Sequence, residues 1–101
     1  MPNGQTDVFR ISQVRLLQIL EANLDSQVLG LEVGIGGWRP FQTKDVFGLV
    51  NEFAGSEIQA EVQDHETYIL HIGPNWEYWF QIGPDSQMYE AMRVAHNEVV
   101  G

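Results

Sequence analysis

Two hydrophobic periods alternate along this chain, and the places where one gives way to the other mark its elements. Phe9, Leu16, Leu17, Leu20 and Leu24 recur at spacings of three, four and seven, which predicts a helical face from about Phe9 to Leu24. Asp25-Ser26 breaks it. Leu29, Leu31, Val33 and Ile35 then alternate with Val28, Gly30, Glu32 and Gly34, a period of two that predicts a strand with one strongly apolar side. Gly36-Gly37 ends that strand, and Trp38-Arg39-Pro40-Phe41 reads as a loop or a short return strand. Thr43 is a good N-cap for a helix carrying Val46, Leu49, Val50 and Phe53, with Gly55 placed for its C-terminal cap.

Three more runs of period two follow. Ile58, Ala60 and Val62 oppose Gln59, Glu61 and Gln63, and Asp64-His65-Glu66 makes a turn. Tyr68, Leu70 and Ile72 oppose Thr67, Ile69 and His71, and Gly73-Pro74-Asn75 turns again. Trp76, Tyr78, Phe80 and Ile82 oppose Glu77, Trp79 and Gln81. Gly83-Pro84-Asp85-Ser86 starts a last helix whose buried stripe is Met88, Met92, Ala95 and Val99. The expected fold is α+β, in the order α-β-α-β-β-β-α. A three-stranded antiparallel meander is extended by the first strand, with helices on one or both faces. Residues 1–101 form one domain, and the polar residues 1–7 are expected to fray. This order of elements resembles small dimeric regulatory domains of the roadblock type and bacterial secretion chaperones. The likeness rests on element order and implies a self-associating or chaperone-like module.

Composition narrows the function. The chain has no cysteine, so disulfides, Cys-ligated zinc and thiol catalysis are excluded. Its N-terminus lacks the charged and apolar regions of a signal peptide, and no apolar run approaches the length of a membrane helix. A cytoplasmic protein is therefore expected. Fourteen acidic residues stand against five Lys and Arg, for a net charge of −9. Direct binding to nucleic acid or to an anionic membrane is thus disfavoured.

The acid is unevenly placed. No Lys or Arg occurs between Lys44 and Arg93, a stretch that holds most of the carboxylates and most of the aromatic residues. Like charges repel, so folding gains nothing from this excess, whereas solubility and recognition of a basic partner both can. Toxin immunity proteins, nuclease inhibitors and phage anti-defence proteins have a similar small, acidic, cysteine-poor character. A basic protein or nucleoprotein is the expected partner, with a homodimer as the alternative.

The strand pattern supplies the contact residues. If Ile58, Tyr68 and Tyr78 point inward, then Glu61, Ile69, His71, Glu77, Trp79 and Gln81 share the opposite side. Large apolar groups among acids and amides resemble the anchor-and-rim layout of binding hot spots. Trp76 and Trp79 are the expected anchors, with Ile69 as a further contact residue and Glu61, Asp64, Glu66 and Glu77 as the charged rim. In the competing arrangement a helix covers this side and Trp79 lies over Gly30 or Gly34. No catalytic, cofactor or metal site is expected. His65 and His71 on one extended strand would stand about 20 Å apart, and His96 suits a helix C-terminus. Gly34-Ile35-Gly36-Gly37 matches neither phosphate-loop pattern.

Overall fold

The structure is a computed structural model that describes residues 6–53, 57–63 and 66–100. Its elements are β1 (Thr6–Ser12), α1 (Gln13–Glu21), β2 (Gln27–Glu32), β3 (Arg39–Gln42), α2 (Thr43–Phe53), β4 (Glu57–Gln63), β5 (Thr67–Ile72), β6 (Tyr78–Ile82) and α3 (Tyr89–Val100). The six strands form one antiparallel sheet in the order β1-β4-β5-β6-β2-β3. The fold is therefore α+β, with a β-α-β-β-α-β-β-β-α order. No helix among the described residues is long and apolar enough to cross a membrane.

The added element is β1, which includes Thr6 and Asp7 from the end expected to fray. Its alternation is short. Phe9 and Ile11 are buried while Val8 and Arg10 are exposed. Helical spacing from Phe9 to Leu16 masks this, because a seven-residue interval also fits a helix. The boundary is chemical. The Ser12 side chain accepts a hydrogen bond from the Arg15 N–H at 3.1 Å, so the helix starts at Gln13.

One row of paired residues, Phe9–Ala60–Leu70–Phe80–Gly30–Arg39, crosses all six strands on the side that faces the helices. Leu16, Ile19 and Leu20 of α1, Val46 and Val50 of α2, and Met92 and Ala95 of α3 close over that side in a single core. Full burial of each of the larger side chains contributes about 1.5–3 kcal/mol, so these residues tie the helices to the sheet. Val99, expected in the same stripe, is 51% exposed. The stripe ends instead at His96, which stacks on Phe9 at 4.4 Å between ring centroids and bridges to Asp7 and the Tyr68 hydroxyl. It therefore anchors α3 to β1 and β5.

Two further details differ from the sequence pattern. Thr43 opens α2 fully buried, with its hydroxyl 2.8 Å from that of Ser26, so it ties the helix to the β2 entry. The expected cap at Gly55 lies outside the described residues. In β2 the polarity is reversed. Val28 and Gly30 face the helices, Leu29 is 46% exposed on the other side, and Val33 and Ile35 lie beyond the strand.

Gly30 explains the reversal. A Cβ there would sit 2.6 Å from the Phe80 ring and 2.8 Å from the Phe41 ring. The two rings meet edge to face at 5.2 Å and occupy the space a side chain would need. Gly30→Ala should therefore destabilise the fold by about 1–3 kcal/mol. Urea unfolding should show a lower midpoint at unchanged slope.

Candidate binding face

The helices α1, α2 and α3 all pack on the Phe80 side, and no helix among the described residues covers the opposite face. Strand pairing arranges the middle of that face in two rows, Val8–Glu61–Ile69–Gln81–Leu29–Pro40 and Arg10–Gln59–His71–Trp79–Leu31. Five strand spacings make it about 24 Å across. Its charged side chains within these rows are Glu61 and Arg10, so it is nearly neutral in a chain of net charge −9. Depletion of charge together with aromatic enrichment marks the core of protein interfaces.

At the centre is a cluster built around His71. Its ring meets Trp79 edge-on at 4.9 Å and lies 6.2 Å from Trp76. Nε2 of His71 lies 3.4 Å from Glu61 Oε1 but is poorly aligned with it, and no described protein atom completes a hydrogen bond to that nitrogen. Glu61 also accepts from the Gln63 amide at 3.2 Å. His71 and Ile69 are only 8% and 3% exposed on a face that no helix covers. Trp76 and Trp79 both lie against the His71 ring.

Trp76 reaches this cluster by an unusual route. Extended parity would place it beside Tyr78 and Phe80 on the covered side. Instead it adopts φ +52° in the β5–β6 turn, which carries its ring to the His71 side. Its carbonyl accepts a 2.8 Å hydrogen bond from Trp79 Nε1. A left-handed backbone costs a bulky L-residue about 1–2 kcal/mol, and the Trp76 side chain is still 50% exposed.

The expected contact residues divide as follows. Glu61, Ile69, Trp76 and Trp79 meet in one patch. Glu66 follows β4 and Glu77 precedes β6, so they stand in turns at opposite ends of β5. The Glu77 side chain folds over Gly73. Asp64 and His65 lie outside the described residues. The helix-covered alternative is overturned, because Phe80 rather than Trp79 lies over Gly30, and Trp79 pairs with Leu31. Val8, Leu29 and Leu31 join the face unexpectedly, Val8 because the short alternation of β1 imitates a helical interval, and Leu29 and Leu31 because the inward sense of β2 depends on Gly30.

Among the described residues, no three His, Cys, Asp or Glu side chains converge as metal ligands. The shift resolved in the core belongs to Tyr68, whose hydroxyl is raised above its usual value chiefly by burial. That tyrosine faces the helices, away from the patch. No family model, curated protein or solved structure matches the chain.

The Trp76 backbone yields a stability test. Glycine normally stabilises a protein less than alanine, but a left-handed position reverses the order. Trp76→Gly should be more stable than Trp76→Ala by about 1 kcal/mol. Chemical denaturation of the two variants should show the inverted ranking, and the ordinary ranking would place Trp76 outside the left-handed region.

Proposed function

We propose that this chain is a non-catalytic binding module, acting in the cytoplasm, that docks its uncovered sheet face on a basic protein or nucleoprotein and so inhibits or sequesters it. The observation that carries this reading is Trp76, a half-exposed indole held at positive φ over a face without a covering helix. A residue that relieves the strain would serve the fold alone as well or better. An anchor that must reach a partner accounts for keeping the indole there.

Charge argues for the kind of partner. Among the described residues, Arg15 pairs with Glu98 and Arg93 with Glu90, while Glu61 and Asp7 meet histidines. The other described carboxylates have no cation within 4.0 Å. Their unneutralised field would steer a basic partner, and the near-neutral patch would then make the dry contact. Trp76, Trp79 and Ile69 would act mainly on dissociation, and the outlying acids on association.

The test is a pull-down from native host extract with wild type and Trp76→Gly side by side. The reading expects a basic protein that elutes with salt from the wild type and is lost from the folded variant. Recovery of the chain alone as a salt-resistant dimer would contradict it and favour self-assembly. With that partner in hand, Glu66→Lys combined with Glu77→Lys should slow association about tenfold at low salt. Equal on-rates by surface plasmon resonance would remove the steering role.

A further inference from the structure

A second site lies on the helical side of the molecule, independent of the partner-binding reading. A cleft of about 490 Å³ opens between α2 and the end of the sheet where β2, β3 and β6 meet. It is a shallow groove, open to solvent along much of its length, with room for a small molecule. Phe41 and Tyr78 form its apolar floor, and Leu49 lines the helical wall. The floor is fixed from beneath, since Phe41 packs edge-on against Phe80 in the space left by Gly30.

Its charges are arranged unusually for so acidic a chain. Arg39 and Lys44 line the cleft together with Glu32, Asp45 and Glu52, yet neither cation has a carboxylate within 4.0 Å among the described residues. The Arg39 guanidinium is held over the Phe41 ring, 4.6 Å from its centroid. Two cations thus remain open to a ligand in a chain that has five Lys and Arg in all.

Gly48 gives the second observation. It sits inside α2, where glycine costs about 1 kcal/mol relative to alanine. A Cβ there would meet no atom within 4 Å, so packing does not demand the glycine. The space it leaves is part of the cleft.

We propose that this cleft binds a small zwitterion of the α-amino-acid type with an apolar side chain. Its carboxylate would meet Arg39 and Lys44, its ammonium the three acids, and its side chain Phe41, Leu49 and Tyr78. A pure anion would be opposed by three carboxylates, and a pure cation by two unpaired cations. A molecule carrying both charges satisfies both sets.

The test is an NMR titration of the isotope-labelled full chain with L-phenylalanine, 3-phenylpropionate and phenethylamine. Saturable shifts confined to residues 39–52 and Tyr78 are expected with the amino acid. Each analogue, lacking one charge, should bind about fivefold more weakly. Gly48→Leu should place a side chain in the cleft and weaken the shifts. Arg39→Gln, an exposed change with little bearing on folding, should weaken binding about fivefold as well. No saturable shift with L-phenylalanine, or an analogue that binds equally well, would overturn the proposal.

Discussion

A six-stranded sheet has two faces to shield from water, and this chain has three helices with which to do it. All three close on the row from Phe9 through Leu70 and Phe80 to Gly30. Side chains alternate strictly along a strand, so committing Tyr78, Phe80 and Ile82 to the core sends Trp79 and Gln81 to the other side. The same parity exposes one side of β5, β2 and β1. Ile69 and His71 lie on that side and are nonetheless buried, with the indoles of Trp76 and Trp79 against the His71 ring. The uncovered face is thus a direct consequence of one-sided helix packing, finished locally by a single strained turn.

Much of this arrangement was legible in the residues. The meander from Ile58 to Ile82 alternates cleanly, so the grouping of Glu61, Ile69, His71, Trp79 and Gln81 followed from parity alone. Three features escaped for separate physical reasons. The short alternation of β1 runs into α1 and imitates a helical interval, with Ser12 as the one chemical marker of the boundary. In β2 the side richer in leucine faces away from the core, because two phenyl rings reached from β6 and β3 fill the place of the missing Gly30 side chain. Trp76 leaves its strand parity through a positive φ that no periodicity encodes. The cleft beside α2 joins residues from 32 to 78, too far apart in sequence for any local pattern to connect them.

Charge and apolar surface are spatially separated. The patch around His71 carries little net charge, whereas most described carboxylates outside it lie in turns and on helices without a cationic partner. Buried contacts are strongest where charges need not be desolvated, and long-range attraction works best from exposed groups. An acidic periphery around a nearly neutral aromatic patch suits a binder that gathers a basic partner electrostatically and holds it by apolar contact.

The proposed role makes the uncovered sheet face a contact surface in the cell. Hydroxyl-radical footprinting of the chain, free and in native host extract, tests it most directly. Protection of Trp76, Trp79 and Leu29 in extract, with Val14 and Val99 on the helical side equally reactive in both samples, is the predicted result. Equal reactivity of Trp76 in the two samples, or protection confined to the helical side, would contradict it.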